Sequence, residues 1–105
     1  MKILDKEKKI LSLLGLAARG RNLTGGESQV LDAIRKGSAR LVIIAENASD
    51  NTKKKFEDKC VYYEVPYRVW GTGESLGHGT GHEYRVSIAV TEAGFADKIV
   101  ALMDE

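Results

Sequence analysis

The residues Leu23-Thr24-Gly25-Gly26-Glu27-Ser28-Gln29 combine what is needed to meet a nucleic acid at the mouth of a helix. Two glycines let a second backbone come close, and the first-turn amides of the helix point outward as donors. Ser28 and Gln29 add short polar side chains to that turn, within reach of a sugar or base edge. The same residues also suit a plain turn followed by a helix start, with Glu27 favoured by the helix dipole. Tyr84 and Arg85 bring a ring that can stack on an unstacked base and a guanidinium that can pair with one. Tyr84 fits a strand packed on a sheet as well.

Gly71 to His82 holds five glycines in the eleven residues 71–81. Its spacing, G-x-G-x-x-x-G from Gly71, misses the dinucleotide fingerprint, and no Gly-Lys-Ser/Thr of a phosphate loop is present. A flexible surface loop that moulds onto a large ligand fits the composition better. His78 and His82 stand four apart with Glu83 following, yet no third ligand has a recognisable spacing, so no metal is expected. Cys60 shares a helical register with Phe56, which reads as a core residue and not a nucleophile. Lys53, Lys54, Lys55 and Lys59 form the densest basic cluster, either a phosphate contact or a solvated helix face. Arg19, Arg21, Arg35, Lys36 and Arg40 fall near the ends of the first two helices, where they are expected to surround the Gly25-Gly26 mouth.

The elements that carry these residues follow from periodicity. Asp5 can cap a first helix with Ile10, Leu13, Leu14 and Ala17 inward, and Gly20 can end it in positive φ. A short strand is expected around Asn22 to Thr24. The second helix buries Val30, Leu31, Ala33 and Ile34, with Gly37 as its C-terminal cap. The run Leu41-Val42-Ile43-Ile44-Ala45 has the pattern of a central strand covered on both faces. Ser49 or Asp50 opens a third helix with Thr52, Phe56 and Cys60 in register. Pro66 precedes a short strand from Tyr67 to Trp70, and a short helix is expected around Glu74 to Gly79. Tyr84 to Val90 reads as a fourth strand, and Phe95, Ile99, Leu102 and Met103 make the last helix amphipathic. Strands alternating with helices over 105 residues imply one domain, an α/β/α sandwich around a small parallel or mixed sheet of four strands.

Composition narrows the function. Apolar residues make up 43% of the chain and charged residues 30%, as in an ordinary globule. No run approaches the roughly 18 apolar residues of a membrane span. The charged N-terminus, MKILDKEKKI, does not read as a secretory signal, and a lone cysteine leaves no internal disulfide. The expected location is therefore the cytoplasm. Net charge is only +1, but it is unevenly spread: residues 1–55 carry 12 Lys and Arg against 6 Asp and Glu, and residues 56–105 carry 4 against 9. A basic face and an acidic remainder suit a nucleic-acid partner, unless folding intermixes the two.

Taken together, the segments resemble the kink-turn-binding ribosomal proteins of the L7Ae and L30e type, and their bacterial YlxQ-like branch most of all. The resemblance is carried by Leu13-Leu14-Gly15-Leu16-Ala17-Ala18-Arg19, Thr24-Gly25-Gly26-Glu27, Ile44-Ala45-Glu46-Asn47-Ala48-Ser49-Asp50-Asn51-Thr52, Asp58-Lys59-Cys60-Val61-Tyr62-Tyr63 and Gly94-Phe95-Ala96. It spans roughly residues 10–103 in unbroken order. The resemblance implies an α/β/α sandwich that binds structured RNA without catalysis or cofactor. It also implies an RNA surface drawn from three places: Gly26, Glu27, Ser28 and Gln29; Glu46 and Asn47; and His82, Glu83, Tyr84 and Arg85. Two positions depart from the family pattern. Ser28 is shorter than the usual Asn or Lys, and Asp32 stands where a lysine usually does, turning a phosphate attraction into a repulsion. The expected state is a monomer with RNA as partner. The alternatives are a protein-interaction subunit with a degenerate RNA surface and a nucleotide- or phosphate-binding protein that uses residues 71–81.

Overall fold

The computed structural model describes residues 2–105, with side chains from residue 5 onward. Five helices and four strands alternate as α1 (Lys2–Arg19), β1 (Leu23–Gly25), α2 (Glu27–Lys36), β2 (Leu41–Ile44), α3 (Asp50–Tyr63), β3 (Tyr67–Val69), α4 (Gly73–Gly79), β4 (Ser87–Val90) and α5 (Ala93–Met103). The sheet order is β1-β4-β2-β3, so the last strand inserts between the first two. β4 runs antiparallel to both β1 and β2, whereas β3 pairs parallel with β2. The sheet is mixed, as the chain's pattern allowed.

Both central strands are buried along their whole length, which explains their unbroken apolar or small residues. Alternation then sorts the side chains to two cores. Val42, Ile44 and Ala89 face α2 and α3, where they meet Val30, Ile34, Phe56 and Cys60. Leu41, Ile43, Ile88 and Val90 face the opposite side, against Ile10 and Leu14 of α1, Leu76 of α4 and Ile99 of α5. The result is the expected three-layer α/β/α sandwich.

Several helix ends follow their sequence signals. Gly37 closes α2 in the left-handed region, and the Ser49 hydroxyl accepts from the Thr52 amide at 3.1 Å to open α3. At the start of α5 the Glu92 carboxylate accepts from the Gly94 and Phe95 amides, both at 2.9 Å, and these bonds hold its pKa below the usual value.

Four expectations need correction. Asp5 is not a cap, because α1 already begins at Lys2; it lies in the first turn, where the helix dipole still favours it. Gly20 does not take the positive φ. Arg21 does, at 61°, because α1 runs one residue further than its glycine suggests. Asn22 then donates to Ala17 O and Arg21 to Ala18 O, which closes the helix with a Schellman pair. The fourth strand covers only Ser87–Val90, since the Arg85 amide donates to Gly73 O and not to a strand neighbour. Residues 71–81 are not a flexible loop: the expected short helix forms over 73–79, with Gly73, Leu76 and Gly77 buried.

Candidate nucleic-acid interface

The C-terminal ends of β1, β2 and β3 lie at the same end of the sheet as the start of β4. Gly25 ends β1 opposite Ile88, and the Gly26 amide donates to Ser87 O at 3.2 Å. Gly26 has φ 94° and ψ 149°, a backbone region that only glycine occupies without strain. Because Gly26 is the N-cap, no side chain caps α2, and its first turn stays open toward a ligand. Glu27, Ser28 and Gln29 are all exposed there, and the Gln29 amide lies beside Gly26. Lys55 reaches this mouth from α3, with Nζ 2.9 Å from the Glu27 carboxylate.

The β2–α3 connection is fastened to α4. The Glu46 amide donates to Gly71 O at 2.7 Å, and Asn47 Oδ1 accepts from the Gly73 amide at 2.9 Å. Asn47 Nδ2 donates to Glu74 at 3.3 Å, so this side chain works first as a clasp within the fold. Glu46 has no such partner among the described residues and stays exposed.

The glycines of α4 serve close approach. The helix opens with a capping box, in which the Ser75 amide donates to Thr72 Oγ1 and the Thr72 amide to Ser75 Oγ, each at 3.0 Å. Residues 82–85 then run back along the helix, with the His82 amide on Gly77 O and the Arg85 amide on Gly73 O. A Cβ on Gly73 would overlap the Tyr84 ring, and one on Gly77 would stand 2.6 Å from the Tyr84 backbone nitrogen. The missing side chains thus form the seat of Tyr84, a residue that remains 52% exposed. The Arg85 side chain passes over Gly25, where a Cβ would collide with it. Its Nη2 donates to His82 Nε2 at 2.9 Å, since a guanidinium can only donate.

One end of the sheet therefore gathers Gly26, Glu27, Ser28, Gln29, Glu46, Asn47, His82, Glu83, Tyr84 and Arg85. The basic residues at the helix ends do not join them. Arg21 precedes β1 at the far end, near Val90, because β1 runs from there toward the mouth. Arg35, Lys36 and Arg40 lie at that far end too, since α2 starts at the mouth and β2 returns toward it. Arg19 instead lines a recess with Gly15, Ala18, Gly79, Thr80 and Gly81, beside α4 and not at the α2 mouth. Asp32 sits one turn into α2, 2.8 Å from Lys36, so its charge is partly balanced within the helix.

Other chemistries fit poorly. The Gly73 and Ser75 amides already have acceptors in Asn47 and Thr72, which leaves residues 71–81 no cradle for a phosphate. Among the described residues no group of three or more His, Cys, Asp or Glu could hold a metal. Cys60 is fully buried, and burial, followed by the charge of Glu57, pushes its thiol pKa up to about 12. Such a thiol holds about a thousandfold less thiolate at neutral pH than an ordinary cysteine. Alkylation at pH 8 is accordingly expected to be at least that much slower in the native protein than in urea. Fast labelling of the folded chain would contradict the packing of Cys60 under α3.

Two contributors were not legible in the sequence. Lys55 belongs to a lysine run that reads either as a phosphate contact or as a solvated face, and its partner Glu27 is 28 residues away. The seat in α4 depends on the approach of Glu83 and Tyr84 to Gly73 and Gly77, a contact that no local spacing reveals.

The architecture and this end of the sheet define a family. The chain belongs to the ribosomal protein L7Ae/L30e/S12e/Gadd45 family, whose pattern it matches over residues 8–100. It is 49% identical over 92 residues to the RNA-binding protein YlxQ of Bacillus subtilis (strain 168), covering 88% of this chain and 92% of that protein. It is 34% identical over 107 residues to the large ribosomal subunit protein eL30 of Spodoptera frugiperda, covering 92% and 91% of the two chains. The solved structure of the Giardia lamblia 15.5kD RNA binding protein has the same fold, with a TM-score of 0.75 at 23% identity over 93% of this chain and 90% of that one.

Proposed function

We propose that this chain is a non-catalytic RNA-binding protein that recognises structured RNA of the kink-turn kind with the end of the sheet described above. The observation that carries the reading is the convergence of an uncapped helix start, a seated but exposed tyrosine and a guanidinium on one face. Family membership and the RNA-binding relatives support it. The α2 mouth offers backbone donors and Gln29 to a backbone or base edge, Tyr84 offers a stacking surface, and Arg85 offers a fork to phosphate or base. Glu46, His82 and Glu83 border that face, and Asn47 holds its two halves together. A ribosomal or ribosome-associated RNA is the setting that agrees with the eL30 relatives, and the reading takes the chain as a cytoplasmic monomer.

The reading is tested by titrating the protein against a labelled kink-turn RNA and an unkinked duplex of equal length, at two salt concentrations. Tight, kink-selective binding that weakens with salt is expected. Equal, salt-sensitive binding to both would reduce the function to general RNA affinity. Binding to neither would point to a different RNA fold or to a protein partner.

A further inference from the structure

We infer that the RNA surface continues along α3, where Lys55, Lys59 and Tyr62 form a second contact for a single strand leaving the α2 mouth. The inference rests on the RNA-binding reading and adds a subsite to it. Lys55, Lys59 and Tyr62 are spaced i, i+4, i+7, which puts them on one face of the helix. All three are exposed, on a face about a third of a turn round the helix from Phe56 and Cys60, the buried side of α3. Its near end is joined to the mouth by the Lys55–Glu27 pair at 2.9 Å. Its far end is an aromatic group with no part in either core.

Tyr62 is 78% exposed, an unusual position for a ring that could have packed inside. Tyr63 braces it in an edge-to-face contact, with ring centroids 4.9 Å apart and planes at 76°. The two tyrosines line a cleft with Lys55, Asp58 and Lys59. Asp58, the one acid in that cleft, is engaged by Lys54 at 3.5 Å, and Lys59 has no ion-pair partner among the described residues. A protonated amine beside an exposed ring is the arrangement with which proteins hold single strands, the ring stacking on a base and the lysine on its phosphate. Charge favours a polyanion here over an apolar protein face. The rise from Lys55 to Tyr62 along the helix is about 10 Å, which matches about three stacked nucleotides.

The test uses the full chain and two RNAs, a minimal kink-turn and the same kink-turn with a single-stranded extension of four uridines on either end in turn. The wild-type protein is expected to bind one extended RNA about tenfold more tightly than the minimal one. Tyr62→Ala and Lys59→Glu are expected to abolish that gain while leaving affinity for the minimal RNA unchanged. The Lys59 variant should also lower the salt slope on the extended RNA by about one. Equal affinity of the wild type for minimal and extended RNAs would overturn the inference with the main interface intact. Failure to bind the minimal RNA would instead overturn the function proposed above. An unchanged gain in both variants would place the strand elsewhere, and loss of a co-purifying protein on Tyr62→Ala would assign the patch to that partner.

Discussion

Replacing Gly77 with alanine is expected to lower the melting temperature by about 5–15 °C and to abolish RNA binding. The new Cβ would stand 2.6 Å from the Tyr84 nitrogen and 2.7 Å from Glu83 C and Tyr84 Cα, all backbone atoms that cannot rotate away. Overpacking of this kind costs about 1–3 kcal/mol, and the better helix propensity of alanine offsets up to about 1 kcal/mol of it. The functional loss exceeds the stability loss, because segment 82–85 must move and takes Tyr84 and Arg85 with it. Gly73→Ala separates the two effects. Its Cβ meets the Tyr84 side chain and not the backbone, so the ring can swing aside. That variant should stay close to wild-type stability and still bind RNA poorly. A Gly77→Ala protein with unchanged melting and affinity would show that α4 is not the seat of the tyrosine.

Arg85→Glu is the second large effect, expected to weaken RNA binding by about a hundredfold with little change in melting. A charge-assisted contact is worth about 1.5–3 kcal/mol, and reversal adds repulsion from the same phosphate. The side chain crosses Gly25 and touches His82 at the protein surface, and no core residue depends on it. Arg85→Lys should fall between, keeping the charge but losing the fork and the bond to His82. In the wild type the logarithm of affinity should fall more steeply with salt, by about one unit of slope, than in Arg85→Glu. Parallel salt lines for the two proteins would mean that Arg85 faces no phosphate.

The elements set by neighbouring residues could be read from the chain alone. Gly37 and Ser49 announce helix ends through their own backbone and side-chain preferences, and Leu41–Ile44 announces a strand covered on both faces. The placement of the arginines could not be read, because proximity to a helix end does not say at which end of the sheet it lies. Arg35 and Lys36 close the same helix that Gly26 opens, so the length of α2 holds them apart. The shortened fourth strand has the same origin. Tyr84, Arg85 and Val86 have strand-like side chains, but Gly73 O takes the Arg85 amide, a partner no local pattern reveals. The departure at Asp32 also looks milder in three dimensions than in one, since Lys36 stands 2.8 Å away.

The position of β4 between β1 and β2 has a consequence for synthesis. Until residues 87–90 have been made, β1 has no strand to pair with, and the Gly26 amide lacks its acceptor at Ser87. Segment 82–85, with Tyr84 and Arg85, is also translated late. A nascent chain stopped before that point cannot close its sheet or complete the proposed RNA surface. On the proposed interface, recognition would therefore wait until residues 82–90 have emerged, long-range pairing being the slow step in folds of this kind.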